Sequence, residues 1–126
     1  MNIKTIQTTA APAAIGPYSQ AIVIGKLVFC SGQIPLTPEG TIAGTDIQTQ
    51  TDQVFRNIRA ILKEAGTDLG AVVKATVFVK DLNDFGKLNS VYEGNFGAHK
   101  PARSTVEVSR LPRDVLVEIE VIAHLP

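Results

Sequence analysis

Charged side chains interrupt the last quarter of the chain, which otherwise has the apolar character of buried β-strands. Arg103 and Glu118 are the two that could do chemistry together. A guanidinium binds a carboxylate through two parallel hydrogen bonds, and a nearby carboxylate can hold a water molecule. The pair therefore predicts a site for a small organic acid. A surface salt bridge for Arg103 and a structural ion pair for Glu118 stay open as alternatives.

The apolar residues around these charges recur with period two, which is typical of strands with one buried face. On this pattern the polar residues between them share the opposite face of the sheet. They are Arg103, Thr105, Glu107, Glu118 and Glu120. We expect Glu107 and Glu120 to have structural roles.

The first half of the chain predicts an extended arm, a hairpin and one long helix. Residues 1–18 end at a Gly-Pro pair, which favours an extended arm. Residues 21–31 contain two apolar runs around a Gly-Lys turn and predict a β-hairpin. Thr45 with Gln48 predicts a capping box for a helix that stops at Gly66.

The second half predicts a β-α-β unit and a final strand. Residues 72–80 alternate as a strand, with Val73 on its apolar face and Val72 on the other. Asn83 can cap a second helix, which ends before Gly97. The expected class is α+β, with a mixed β-sheet and two helices packed on one face. Since two helices cover only one face, we expect other subunits to cover the second face.

Composition narrows the classes of function. The chain has 126 residues and a formal net charge of 0, which predicts one domain over residues 1–126 and disfavours nucleic acid and membrane surfaces as partners. Cys30 is the only cysteine, and the N-terminus lacks the apolar run of a signal peptide, so we expect a cytoplasmic protein. The few histidines show no metal-ligand spacing, and we expect no metal site.

Four blocks of sequence resemble, in order, the recurring blocks of the RidA family, also called YjgF-like proteins. They are residues 13–20 (AAIGPYSQ), 31–35 (SGQIP), 77–85 (VFVKDLNDF) and 101–123 (PARSTVEVSRLPRDVLVEIEVIA). The resemblance covers essentially the whole chain. It implies a chorismate-mutase-like fold, three copies of which close a central barrel, with sites in the clefts between subunits.

The resemblance also implies an activity. Proteins of this family are cofactor-independent deaminases that hydrolyse 2-iminobutanoate and 2-iminopropanoate to 2-keto acids and ammonia. These reactive enamines and imines are released by pyridoxal-phosphate dehydratases. By resemblance, Arg103 holds the substrate carboxylate and Glu118 orients the attacking water.

Five further residues are expected to bind the substrate. Tyr18 offers an aromatic wall with a polar tip, Ser31 and Gly32 allow close approach at a strand end, and Asn89 offers an amide. Thr105 departs from the family, because many members have cysteine there. The change excludes a thiol nucleophile at this position but leaves the hydrolysis possible, because an iminium carbon accepts water directly.

Two other classes of function stay open. A regulatory protein would bind keto or amino acids in the same cleft without converting them. An RNA-cleaving translation inhibitor is disfavoured. A net charge of 0 provides no excess of cations to bind phosphates, and an aromatic content of 6% provides few side chains on which bases could stack.

Overall fold

Six β-strands form one mixed sheet in the computed structural model, which describes residues 2–126. In chain order the elements are β1 (Ile3–Ile6), β2 (Ala21–Ile24), β3 (Leu27–Gln33), α1 (Ile47–Ala65), β4 (Val72–Val79), α2 (Phe85–Phe96), β5 (Ala102–Glu107) and β6 (Val117–His124). Across the sheet the order is β1-β2-β3-β6-β4-β5. Among the strands of residues 2–126, only β4 and β5 pair in parallel, as a β-α-β crossover requires. The predicted α+β class is confirmed.

The N-terminal arm is only partly irregular. Strand β1 pairs with β2 at the edge of the sheet, so the expected arm contains a short strand. Residues 7–20 then connect β1 to β2 through turns and bends. Residue 1 of the expected arm lies outside the described residues.

Glycines lie where the sequence predicted the hairpin turn and the end of the first helix. The β2–β3 turn contains Gly25 with a φ of 59°, and α1 ends at Gly66 with a φ of 96°. The capping box expected at Thr45 is wrong. Asp46 caps α1 instead, because its backbone is extended and its side chain accepts a hydrogen bond from the N–H of Thr49 at 2.9 Å. A carboxylate at this position also interacts favourably with the positive end of the helix dipole.

The start of α2 also differs from the prediction. Asp81 caps a short 3-10 turn ahead of the helix by accepting a hydrogen bond from the N–H of Asn83 at 2.9 Å. Asn83 is thus the donor and does not cap the helix, because the extra turn moves the helix start to Phe85. The predicted stop at Gly97 is confirmed.

A register shift reverses the expected facing at the start of β4. The shift between Val72 and Lys74 places Val72 in the core and leaves Val73 46% exposed. A bulge of this kind adds one residue to a strand and changes the phase of its alternation.

Both helices pack on one face of the sheet and form the core with it. The largest fully buried side chains come from the helices and strands alike, and they include Phe55, Ile58, Ile61, Leu62, Leu88 and Ile119. The ring of Phe55 lies edge-on to Tyr92 at 5.7 Å and to Phe96 at 5.5 Å between centroids. Each large buried side chain contributes about 1.5–3 kcal/mol of transfer free energy.

The opposite face of the sheet, which we call the open face, has no helix over it within residues 2–126. Leu27, Phe29 and Val106 are exposed on this face, and Phe78 and Ile122 are half-buried. An apolar sheet surface of this kind is typical of an interface with another protein chain. Within the same residues, no helix combines the length and apolar character that a membrane span requires.

Candidate functional site

Arg103 lies on β5 below helix α2, and three side chains of that helix hold its guanidinium. Nη1 donates a hydrogen bond to Oδ1 of Asn89 at 2.7 Å. Cζ lies 4.7 Å from the ring centroid of Tyr92 and 5.3 Å from that of Phe85. The two rings attract the cation through their π faces, and the amide fixes its plane. None of these contacts neutralises the charge.

A cavity of about 300 Å³ opens beside this guanidinium, between the second half of α2 and the start of β5. Its lining includes Asn89, Tyr92, Glu93, Phe96, His99 and Arg103. Within residues 2–126 the only hydrogen bond of the guanidinium is the one to Asn89. Its other N–H groups can therefore bind a carboxylate in the cavity.

Two buried hydroxyl groups belong to the same region. Thr105 follows Arg103 on the same face of β5, and its Oγ1 has no hydrogen-bond partner within the described residues. The hydroxyl of Tyr92 is also buried without a partner there. Burial raises the pKa of Tyr92, although the charge of Arg103 opposes the increase. Unpaired buried hydroxyls are uncommon in folded proteins and often mark functional regions.

Glu118 lies on the open face of the sheet. It pairs with Phe78 of β4 and alternates with the buried Ile119. Its side chain is half-buried, and this burial raises the pKa of Glu118, with a further increase from the charge of Glu120. A carboxylate with a raised pKa is a stronger base and suits the activation of a water molecule.

Gly32 makes the space for this carboxyl group. A Cβ atom added at Gly32 would lie 3.0 Å from Cδ of Glu118 and would collide with Oε2. The β3–β6 pairing is irregular between Cys30 and Gln33, which is where Gly32 lies. A larger residue at this position would displace the carboxyl group of Glu118, so glycine matters here through the close approach of the glutamate and not through its own backbone angles.

Ser31 connects this part of the sheet to the loop that carries Tyr18. Its Oγ donates a hydrogen bond to the carbonyl of Ser19 at 2.6 Å, and its N–H donates to the carbonyl of Gln20 at 2.9 Å. Tyr18 is 52% exposed and follows a turn in which its N–H donates to the carbonyl of Gly16 at 2.9 Å. The phenol ring is therefore accessible.

The seven predicted site residues thus form two separate groups in one chain. The arginine half consists of Arg103, Asn89 and Thr105, together with Phe85 and Tyr92 of α2. The glutamate half consists of Glu118, Gly32, Ser31 and Tyr18. Phe85 and Tyr92 were missed as contacts of the arginine, although their spacing of four and three residues around Asn89 places all three on one side of a helix.

The expectation that the five polar residues share one face is wrong. Arg103 and Thr105 pair with Ala75 and Val77, which belong to the helix-covered core. Glu118 and Glu120 point the other way. Glu107 lies with the arginine and accepts a hydrogen bond from the N–H of Leu82 at 3.0 Å, a structural contact.

The apolar alternation of β5 was assigned to the wrong face of the sheet. Val106 pairs with Phe78 and lies on the open face, 42% exposed. Arg103 and Thr105 therefore face the helices, although period-two alternation holds within the strand. The alternation shows that a strand has two faces but not which of them the helices cover.

Among residues 2–126 no cluster of three or more His, Cys, Asp or Glu side chains could hold a metal ion. Cys30 is buried, and burial, with a smaller contribution from Glu120, raises the pKa of its thiol to about 12. The thiol therefore stays protonated and unreactive at neutral pH.

Residues 8–125 match the family model described as Endoribonuclease L-PSP. The chain belongs to this family. A 2-iminobutanoate/2-iminopropanoate deaminase of Salmonella typhimurium is 52% identical over 123 residues, with 95% of this chain and 96% of the relative covered. A putative regulator, AldR of Lactococcus lactis, is 52% identical over 124 residues, with 98% of each chain covered.

The family also has solved structures with the same fold. Escherichia coli TdcF with bound serine matches with a TM-score of 0.93 at 47% identity, over 98% of this chain and 99% of that chain. The assignment to the RidA family from the sequence blocks is confirmed by the family match and by the deaminase relatives.

Proposed function

We propose that this chain is a cofactor-independent deaminase that hydrolyses 2-iminobutanoate and 2-iminopropanoate to 2-keto acids and ammonia. The observation that carries the proposal is the guanidinium of Arg103, oriented by three side chains and open to a cavity of about 300 Å³. This arrangement suits the carboxylate of a small acid. The deaminase at 52% identity over nearly the full chain supports the same activity.

The proposed chemistry is the addition of water to the imine. Arg103 holds the substrate carboxylate, and the ionised Glu118 accepts a proton from water as its oxygen bonds to the imine carbon. The electron pair of the C=N bond moves to nitrogen, which takes the proton from Glu118 and leaves the carboxylate ionised again. In the resulting carbinolamine, Glu118 takes the hydroxyl proton and returns it to nitrogen, so that a C=O bond forms as the C–N bond breaks and ammonia leaves. Binding both reactants side by side supplies much of the acceleration.

A single chain does not bring the two halves together. Arg103 and Glu118 lie on opposite faces of the sheet, with β4 between their strands. Neighbouring strands are about 4.8 Å apart, so two strand spacings and the thickness of the sheet separate the groups. A small substrate cannot contact both in one chain. We therefore propose that the arginine half of one subunit meets the glutamate half of another.

The assembly we propose is a homotrimer in a chorismate-mutase-like arrangement, with the open faces closing a central barrel. The exposed apolar residues of the open face support burial against other copies. We also propose that residues 1–126 form one domain that acts in the cytoplasm, without a nucleic-acid or membrane partner. The single core supports one domain, and the net charge of 0 disfavours nucleic acid and membrane surfaces as partners.

Release of ammonia from freshly generated imine tests the proposal. 2-Iminopropanoate would be produced from serine by a dehydratase, and the 2-keto acid and ammonia would be followed with and without the protein. We expect acceleration that saturates with imine concentration. Sedimentation equilibrium would measure the assembly in the same preparation. A stable trimer without acceleration would reject the deaminase, and a stable monomer at micromolar concentration would reject the shared site.

A regulatory role is the second candidate. The relatives include a putative regulator, and TdcF has been solved with bound serine. Calorimetric titration with serine and with 2-keto acids, in the absence of turnover, distinguishes a sensor from an enzyme. An RNA-cleaving role is less favoured, despite the family description, because the chain has a net charge of 0 and an aromatic content of 6%.

A further inference from the structure

The loop from residue 7 to residue 20 is organised around one buried amide. Gln20 is only 3% exposed, although it lies at the end of an irregular segment. Its Nε2 donates to the carbonyls of Thr8 at 3.1 Å and Pro12 at 2.8 Å. Its Oε1 accepts a hydrogen bond from the N–H of Thr8 at 2.7 Å. One side chain thus connects the two ends of the loop and its middle.

Only a neutral primary amide can make this set of bonds. Two donors and one acceptor are required at one buried position. Glutamate would place an oxygen against the carbonyls of Thr8 and Pro12, and it would bury a charge. A methionine would fill the same volume without any of the three hydrogen bonds. The geometry is therefore specific to glutamine.

The loop held by Gln20 continues directly into the glutamate half of the site. The carbonyl of Gln20 accepts a hydrogen bond from the N–H of Ser31, and the carbonyl of Ser19 accepts one from the hydroxyl of Ser31. Tyr18 lies between this anchored end and the turn at Gly16. A change in the path of the loop would therefore move Tyr18 and remove the partners of Ser31.

We propose that Gln20 is a positioning residue for the reaction. Its amide fixes the path of residues 8–19, and this path places Tyr18 and the Ser31 end of β3 against the substrate. Gln20 itself does not contact the substrate. The inference rests on the proposed deaminase activity, but the order of the loop can be measured independently of that activity.

Hydrogen exchange of the intact protein tests the structural step. Wild type would be compared with Gln20→Glu, Gln20→Met and the control Gln48→Glu, which makes the same charge change at an exposed position in the first turn of α1. We expect exchange within residues 8–19 to accelerate about tenfold or more in both Gln20 variants, while α1 and β6 keep their protection. Unchanged exchange in the loop, or an equal increase throughout the protein, would overturn the proposal.

A double-mutant cycle tests the functional step. Gln20→Met and Tyr18→Ala should each lower kcat/KM by about tenfold, and the double variant should lose no more than the larger single loss, because a displaced loop already removes Tyr18. Losses that multiply would show that Gln20 does not act through Tyr18 and would overturn the proposal. If Gln20→Glu fails to fold, the volume-conserving methionine variant provides both measurements. If the wild-type protein does not hydrolyse the imine, the proposed function is rejected instead. Hydrogen exchange then decides whether Gln20 holds the loop.

Discussion

The two halves of the proposed site are supported by different parts of the protein. Side chains of α2 surround the guanidinium of Arg103 on the helix-covered face of the sheet. The carboxyl group of Glu118 lies on the open face, where the missing side chain of Gly32 provides its space. The arginine half is therefore ordered within one chain. The glutamate half is accessible from the side on which we expect another subunit.

This difference has a consequence for electrostatics. The guanidinium of Arg103 binds through the geometry of its planar fork. The carboxyl group titrates closer to the working range, because burial and Glu120 raise its pKa. The arginine half should thus respond to changes in geometry, and the glutamate half to changes in both geometry and pH.

The largest expected effect concerns the arginine half. Arg103→Lys should lose nearly as much activity as Arg103→Ala, because an ammonium group cannot reproduce a planar guanidinium held by an amide and two rings. We expect a loss of about 2 to 4 kcal/mol in transition-state stabilisation, or roughly thirty- to a thousand-fold in kcat/KM on generated 2-iminopropanoate.

Arg56→Lys is the matched control, because Arg56 makes an exposed salt bridge to Asp52 at 3.0 Å. That change should leave kcat/KM within about twofold, since surface salt bridges contribute about 1 kcal/mol or less. The carboxylate-binding role would be wrong if Arg103→Lys retained activity within about threefold of wild type with its assembly state unchanged.

The next effect concerns the space around Glu118. Gly32→Ala should lower kcat/KM by roughly ten- to a hundred-fold, because the added methyl group displaces the carboxyl group and small displacements of a catalytic group are costly. Steady-state kinetics would be measured alongside thermal unfolding.

Gly94→Ala provides the comparison, because nothing lies within 4 Å of a Cβ atom at this position of α2. It should leave activity unchanged and stabilise the helix by about 0.5–1 kcal/mol. Full activity in Gly32→Ala would show that the carboxyl position seen in the structure is not needed for turnover.

Local signals in the sequence predicted much of the fold. The stops of α1 and α2 and the β2–β3 turn were found because Gly66, Gly97 and Gly25 adopt backbone angles that favour glycine. Helix starts were less certain, because several neighbouring residues can cap a helix and tertiary contacts decide between them. Asp46, the residue after the expected Thr45, caps α1 because its side chain accepts the hydrogen bond of the Thr49 N–H.

The facing of the site residues could not be predicted in this way. Whether Arg103 lies above or below the sheet depends on its pairing with Ala75 of a distant strand, and no pattern within β5 records that register. The contact of Gly32 with Glu118 is equally nonlocal, because it depends on the irregular pairing of β3 with β6. The sequence and the family resemblance suggested the candidate site residues but did not show that they form two groups in one chain.

A smaller effect concerns pH and distinguishes the two halves directly. Glu118 must be ionised to accept a proton from water, so kcat/KM should fall as the pH drops through its pKa, which is raised above the usual value of 4.5. Glu120→Gln removes a neighbouring negative charge and should lower that pKa. The acid limb of the profile should therefore move to lower pH, with little change in the plateau.

Glu64→Gln removes the same charge from the exposed surface of α1 and should leave the limb in place. Profiles of kcat/KM between about pH 4 and pH 8, in buffers of constant ionic strength, would compare the three proteins. A shift to higher pH in Glu120→Gln, or an identical shift in both variants, would contradict the assignment of the acid limb to Glu118.

The smallest expected effect concerns Thr105, the position at which the family resemblance led us to expect a cysteine in many members. Its buried hydroxyl has no hydrogen-bond partner within residues 2–126, so Thr105→Val removes a polar atom that makes no bond there and keeps the shape of the side chain. We expect kcat/KM within about threefold of wild type and a free energy of unfolding that is unchanged or about 1 kcal/mol higher. Steady-state kinetics and denaturant unfolding would measure both. A loss of several orders of magnitude in turnover, with an unchanged assembly state, would instead mean that the hydroxyl takes part in the reaction, so that the arginine half would supply chemistry as well as binding.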